Sequence, residues 1–314
     1  MRRITILLIL SLLIVLTLVE IVPYVFTGIK EGNITISEGA SLAEISILLK
    51  DNGLILDPYG FMMIVRMRKD EVNLKGGDHK LENIKNVFTL IEELKKDTTP
   101  EKVVVTIPEG FTIKDIDKRL YESGLIEKEG TFLEFAKEEE GFLYPDTYYF
   151  YKGISMQEIV DIMRKRFEEM TPEDLAEKAS RISLKSEEVI ILASIVEKEV
   201  KLDKDRPLAA SVFLNRLKID MPLQADSTIV YILPEHKVWL DRSDYLIDSP
   251  YNTYLYKGLP PAPISNPSIK SILAVLDAPV TPYYYFMTKP DGEAVFSETL
   301  AEHERNLEKY YGGD

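Results

Sequence analysis

Carboxylates are the only side chains in this sequence whose surroundings suggest chemistry. The 314 residues include no cysteine, which removes thiolate metal sites, disulfides and a cysteine nucleophile. The histidines, His79, His236 and His303, are widely separated and form no HExxH spacing. No G-x-S-x-G elbow, P-loop or dinucleotide fingerprint occurs, so neither a metal nor a cofactor is expected. The segment Ser186 to Glu199 reads SEEVIILASIVEKE. Its run from Val189 to Val196 is too continuously apolar for a surface helix, and predicts one central to the core. Glu199 falls one turn below Ile195 and Val196 and two below Leu192, on the same stripe. A carboxyl there is partly desolvated, which raises its pKa and suits it to general-acid work. The plainer alternative is a solvated helix end with Glu197, Lys198 and Glu199 as surface charges. Periodicity alone favours that plainer reading.

The elements around this helix follow from composition and pattern. A formal net charge of -14 argues against nucleic acid as a partner. Arg2 and Arg3 precede an apolar run from Ile4 to Val19, and beyond Glu20 it resumes through Ile21, Val22, Tyr24, Val25 and Phe26. That length suffices to cross a bilayer, which takes roughly 20 residues. No small-x-small cleavage site follows, so residues 1–27 are expected to stay as a single-pass transmembrane anchor. The leading arginines place the N-terminus in the cytoplasm and the remainder outside the cell membrane.

Two later stretches resemble each other. Residues 34 to 61 and 105 to 132 align at a constant offset of 71 (109 − 38), matching Glu38-Gly39 with Glu109-Gly110 and Gly53-Leu54-Ile55 with Gly124-Leu125-Ile126. Ile45, Leu49 and Phe61 match Ile116, Leu120 and Phe132. Each copy predicts a short strand, a Glu-Gly turn, a helix, and a glycine stop at Gly53 or Gly124. Residues 28–100 form a small α+β module whose size and order resemble LysM-like modules that bind N-acetylglucosamine-containing glycans. A spacer that lifts the rest off the membrane is an equal alternative. The polar run from Lys95 to Glu101 marks a boundary. Residues 101–314 then mix helices with Tyr- and Pro-rich segments suited to lining a groove. Ser155 with Glu158 and Thr299 with Glu302 read as capping boxes, and Thr171-Pro172 as a helix start. The expected fold class is α+β: an anchor, the LysM-like module, and a mixed α/β catalytic domain with a central buried helix.

Ordered blocks add a family resemblance. They are Ile107-Pro108-Glu109-Gly110, Gly141 to Tyr148 (GFLYPDTY), Leu192 to Glu199 (LASIVEKE) and Ala210 to Leu217 (ASVFLNRL). Met221 to Thr228 (MPLQADST), Tyr251 to Tyr254 (YNTY), Gly258 to Pro261 (GLPP) and Ile264 to Pro267 (ISNP) continue them. Together they resemble the MltG-type (YceG-like) endolytic murein transglycosylases over residues 1 to 311. That resemblance implies Glu199 as the catalytic glutamate of the E-K-E. It implies cleavage between N-acetylmuramic acid and N-acetylglucosamine in peptidoglycan strands without water, leaving 1,6-anhydro ends. It also implies partnership with peptidoglycan synthases and the ending of nascent strands. The family's Thr-Asp-Pro-Thr stands here as Ala225-Asp226-Ser227-Thr228, and Phe142 and Tyr144 replace tryptophans, a change that bears on sugar stacking.

Supporting positions follow from residue type. Gln224, Asp226, Ser227 and Thr228 sit in a polar segment suited to binding sugar hydroxyls or amides, and Tyr251, Asn252 and Tyr254 combine aromatic faces with polar tips. Asn215 and Arg216 read equally well as substrate contacts or as ties that hold loops. Tyr283 to Phe286 favour strand and core, Asp146 a turn, and His303 the surface of the last helix, with contact to the cleft as its alternative. Two rivals remain: a non-catalytic glycan-binding scaffold of the cell envelope, and a muramidase using water. The muramidase needs a second carboxylate, for which Asp226 and Glu197 are the nearby candidates.

Overall fold

A computed structural model describes residues 32–312 except 38, 83, 97, 99–101, 236 and 238. The expected anchor (1–27), Glu38 of the first Glu-Gly turn, most of the boundary run and His236 therefore lie outside the described residues. Among the described residues no helix is long and apolar enough to cross a membrane. The chain divides into two compact units, residues 1–101 and 102–314.

In the first unit, β1 (Gly32–Ile36), α1 (Leu42–Asp51), α2 (Pro58–Arg68), β2 (Gly77–Leu81) and α3 (Val87–Leu94) enclose one core. The strands pair antiparallel with Gly32 opposite Leu81. Strand alternation turns Ile34, Ile36 and Leu81 inward onto Leu49, Phe61, Val65, Leu90 and Leu94. His79 also points inward, where its ring nitrogens lie against the carbonyls of Lys75 and Glu93 at 2.9 and 3.3 Å.

The second unit opens with the same design. Its elements are β3 (Lys102–Thr106), α4 (Ile113–Glu122), α5 (Thr131–Ala136), β4 (Thr147–Tyr151) and α6 (Met156–Met170). β3 pairs antiparallel with β4, Lys102 opposite Tyr151. The duplication extends to the caps: Ser41 with Glu44 opens α1 in a reciprocal capping box, and Thr112 with Asp115 opens α4 in the same way. Ile45 and Ile116, Leu49 and Leu120, and Phe61 and Phe132 are all buried.

The remainder comprises α7 (Leu175–Arg181), α8 (Ser186–Glu199), α9 (Arg206–Lys218), α10 (Asp226–Ile232), α11 (Ile269–Leu276), β5 (Tyr285–Thr288), β6 (Ala294–Ser297) and α12 (Leu300–Tyr311). Glu187 and Glu188 favour the N-terminal end of the α8 dipole, and the Glu188 carboxylate accepts the Lys185 N–H at 2.7 Å. Every residue from Val189 to Val196 is buried, because α7, α9, α10 and α11 pack around α8. Burial of each such aliphatic side chain contributes about 1.5–3 kcal/mol. The described residues are thus α+β, with three two-stranded antiparallel ribbons and helices supplying most of the core.

Two helix starts differ from expectation. Thr171 closes α6 instead of opening α7: its hydroxyl and N–H both donate to the Phe167 carbonyl, at 2.7 and 2.9 Å. The extended backbone that a residue before proline prefers ends α6, and α7 starts only after Asp174. At α12, Thr299 caps Glu302, but the Glu302 carboxylate accepts the Glu298 N–H at 3.0 Å, so the box is only half made.

Candidate active site

The C-terminal turn of α8 separates two carboxylates into different environments. The Glu197 side chain is 5% exposed and surrounded by donors. Two guanidinium N–H groups of Arg206 donate to it at 3.1 and 2.8 Å, and the Ser268 N–H and hydroxyl at 2.9 and 2.7 Å. Arg206 also donates to the Ser268 and Ser271 hydroxyls at 2.8 and 3.0 Å. The network ties α8, α9 and α11 together and occupies both carboxylate oxygens of Glu197. The Ile-Pro-Glu-Gly block crosses the same turn. Gly110 has φ of +74°, and a Cβ there would meet Glu197 Cγ at 3.3 Å, so both backbone and space call for glycine.

Glu199, two residues on, lines a cleft of about 380 Å³. This lies within the roughly 300–1,000 Å³ common for ligand sites. Phe213 and Leu223 contribute apolar surface, Gln224 and Asp226 come from the start of α10, Tyr254 from the loop between α10 and α11, and Tyr285, Phe286 and His303 from β5 and α12. Ser227, near the start of α10, donates its N–H to Glu199 Oε1 at 3.0 Å. Burial raises the Glu199 pKa, and the nearby Asp226 charge adds to the rise. The Ser227 hydroxyl and N–H, and more distantly Arg216, pull the other way. Arg216 is itself buried, which lowers its pKa; it donates to the carbonyls of Tyr284 at 2.7 Å and Leu223 at 2.6 Å. Its guanidinium also lies over the Tyr285 ring, 5.3 Å from the centroid. A cation held by neutral carbonyls keeps its field available to the cleft.

Gln224 is exposed in the cleft with φ of +49°, left-handed backbone that a non-glycine residue adopts at a cost of about 1–3 kcal/mol. Asp226 Oδ1 accepts the hydroxyls of Tyr254 at 2.6 Å and Tyr245 at 3.2 Å, and the two rings meet edge to face. The remaining expected positions bond mainly to protein. Thr228 is fully buried and donates to the Ala225 carbonyl at 2.7 Å. Asn252, also fully buried, donates to the carbonyls of Tyr245 and Ile247 at 3.0 and 2.9 Å. Asn215 donates to the carbonyls of Thr281 and Tyr283, both at 2.9 Å. Tyr251 packs its ring against Tyr231 at 5.2 Å. Thr228, Asn252 and Tyr251 hold the loops that carry Gln224, Asp226 and Tyr254, and Asn215 holds the segment leading to Tyr285. Phe142 and Tyr144 belong to the core: Phe142 meets Phe167 edge to face at 5.4 Å, and Tyr144 is 7% exposed.

Some residues carried no signal in the sequence pattern. Tyr285, Phe286 and His303, read as core or surface, line the cleft. His303 stacks on Tyr285 at 5.5 Å, and burial, with Arg216 nearby, lowers its pKa. Glu140 is buried beneath the Gly141 block and accepts the Ile113 N–H and the Asn266 amide at 3.1 Å each. Asn266 also accepts the N–H groups of Gly141 and Leu143 at 3.0 and 2.8 Å, and its carbonyl accepts the Gly110 N–H at 2.9 Å, tying three sequence blocks into one node. Glu140 ends a run of three glutamates that reads as a solvated surface. Asn266 is visible only as part of its block.

A model of the YceG-like family matches residues 34–309. The chain is similar to a protein of Bacillus subtilis strain 168 named endolytic murein transglycosylase, 32% identical over 306 residues, 88% of this chain and 84% of that one. A protein of the same name from Streptococcus pneumoniae D39 is 27% identical over 90% of this chain, which spans only 58% of that relative. Among solved structures, a YceG-like protein from Listeria monocytogenes superposes with a TM-score of 0.59 at 31% identity, over 88% of this chain and 98% of that one.

Proposed function

The chain belongs to the YceG-like family, and from that premise we propose that it is an endolytic lytic transglycosylase of peptidoglycan, with Glu199 as its one acid and base. The observation that carries this reading is the contrast within the E-K-E: Glu197 is saturated by Arg206 and Ser268, while Glu199 borders the cleft with a raised pKa. Protonated Glu199 gives its proton to the oxygen bridging N-acetylmuramic acid and N-acetylglucosamine as the bond from that oxygen to muramoyl C1 breaks. The resulting carboxylate takes the proton of the muramoyl C6 hydroxyl, whose oxygen closes on C1. Glu199 ends protonated, the products are a 1,6-anhydro sugar and a free hydroxyl, and no water is consumed. Such acid–base assistance contributes on the order of 10²–10⁴ in rate.

Gln224, Asp226 and Tyr254 supply polar contacts and an aromatic face to the sugars, and Tyr285 adds a second aromatic side chain to the cleft. Ser227 aims the Glu199 carboxyl, and Thr228, Tyr251, Asn252 and Asn215 hold the loops. The charge on Arg216 favours the transient Glu199 carboxylate. Both candidates for a hydrolase's second carboxylate are engaged, Glu197 fully and Asp226 by two tyrosine hydroxyls. Retention of Glu199 speaks against a non-catalytic scaffold. We assign residues 1–27 to a single-pass anchor in the cell membrane, 28–100 to a LysM-like module and 101–314 to the catalytic domain. An extracytoplasmic enzyme so tethered suits the ending of nascent strands beside peptidoglycan synthases.

Digestion of peptidoglycan in H₂¹⁸O tests the reaction. The expected products carry 1,6-anhydro ends and no ¹⁸O; reducing ends with one ¹⁸O each would identify a hydrolase.

A further inference from the structure

A second cavity, of about 360 Å³, adjoins the first across the Ser227–Glu199 contact. Ser227 lines this second cavity while its N–H holds Glu199, which lines the first. Consecutive residues on a helix point about 100° apart, so Lys198 borders the second cavity while Glu199 borders the first. The apolar side of the second cavity includes Tyr231, Leu233 and Ile264.

Two cations reach it. Lys114 donates to the Pro234 carbonyl at 2.7 Å and Lys198 to the Gly110 carbonyl at 3.2 Å. Neither forms an ion pair with any carboxylate among the described residues, and each ammonium has three donors to satisfy. The carboxyls on the cavity do not offset this charge equally. Asp115 accepts from Thr112 in the α4 capping box but keeps its charge, which offsets one of the two lysines. Glu140 is buried, which raises its pKa to about 8 and holds it largely neutral near pH 7. In a chain of net charge -14, a cavity whose two lysines lie outside any ion pair, one of them unmatched in charge, and which has an apolar wall selects an acidic ligand with some apolar bulk.

The neutral sugars of a glycan strand do not fit that description, whereas the carboxylate-bearing peptide carried by each muramoyl residue does. We propose that this second cavity binds the acidic stem peptide of the muramoyl residue at the cut, with Lys114 and Lys198 pairing its carboxylates. This rests on the reading of the first cleft as the glycan site, since the shared Ser227–Glu199 wall puts a peptide in the second cavity beside a sugar in the first.

The test uses the full chain and two matched substrates, glycan strands bearing their stem peptides and the same strands stripped by an amidase and then methylamidated at the lactyl carboxylates that stripping exposes, so that the stripped strand is neutral. The wild type is expected to favour the peptide-bearing strands in kcat/KM by about tenfold, mostly through KM, the scale of one charge-assisted contact. Lys114→Gln and Lys198→Gln should each reduce that preference severalfold, and Lys198→Arg should retain it. No preference in the wild type, or equal losses on both substrates in the variants, would overturn the proposal. Calorimetric binding of both substrates to Glu199→Gln supplies an arm independent of turnover. A binding preference there that Lys114→Gln removes supports the peptide site even if no anhydro ends form on either substrate, a result that would refute only the reading of the first cleft. Equal binding of both substrates would overturn the peptide site while leaving that reading intact.

Discussion

Replacing Arg206 with methionine should cost stability out of proportion to the apolar area it leaves. In the native protein, the Glu197 side chain, at 5% exposure, takes two guanidinium contacts and two from Ser268. Arg206→Met removes the charged pair of donors and leaves a buried carboxylate with two neutral ones. Breaking a buried ion pair in this way costs about 3–5 kcal/mol. For a unit of this size that is a fall in melting temperature of roughly 6–20 °C. Urea unfolding should also show coupling, with the double variant Glu197→Gln/Arg206→Met less damaged than the two single losses combined by at least about 1 kcal/mol. A single-variant loss below about 1 kcal/mol, or strict additivity, would refute the view that this pair locks the end of α8.

Other perturbations separate charge, strain and contact. Glu140 has its pKa raised to about 8 from 4.5, so the folded state holds a proton that the unfolded chain has released between those pH values. Stability should therefore fall as pH rises from about 5 to 8, by up to about 1.4 kcal/mol per pH unit, and Glu140→Gln should flatten that slope in urea titrations at pH 5 and 8. Because Asp226 helps raise the Glu199 pKa, Asp226→Asn should move the alkaline limb of the kcat/KM–pH profile to lower pH; an unmoved limb would remove Asp226 from the electrostatics of the site. Gln224→Gly relieves left-handed backbone, so thermal unfolding should show a neutral or stabilising change while kcat/KM drops several-fold. Lower stability with unchanged kcat/KM would mean that the strain serves no function.

The central helix was legible because an unbroken apolar run has only one place to go, and Val189 to Val196 are all buried. The duplicated units were legible because turn and cap residues repeat with the core positions: Ser41 and Thr112 cap at the same offset at which Leu49 and Leu120 are buried. The difference between Glu197 and Glu199 was legible only through the family resemblance, since physically it depends on Arg206, Ser268 and Ser271 arriving from α9 and α11. Helical spacing says which residues share a face, but not which partner waits there. The same limit applies to Asn252 and Thr228, whose polar types suited a sugar but whose side chains are satisfied by loop carbonyls. Glu140 was hidden by its neighbours, because Glu138 and Glu139 are exposed or nearly so while Glu140 turns inward to Ile113 and Asn266.

The most direct test of the account compares murein digestion by the wild type, Glu199→Gln and Glu197→Gln, with folding of each followed by circular dichroism. Glu199→Gln should keep its fold and lose about 10²–10⁴ or more of the rate of forming anhydro-ended fragments, while Glu197→Gln should lose stability and keep a larger share of its rate. A folded Glu199→Gln with activity within a few-fold of wild type, beside an inactive but folded Glu197→Gln, would contradict the assignment and move the chemistry to Glu197.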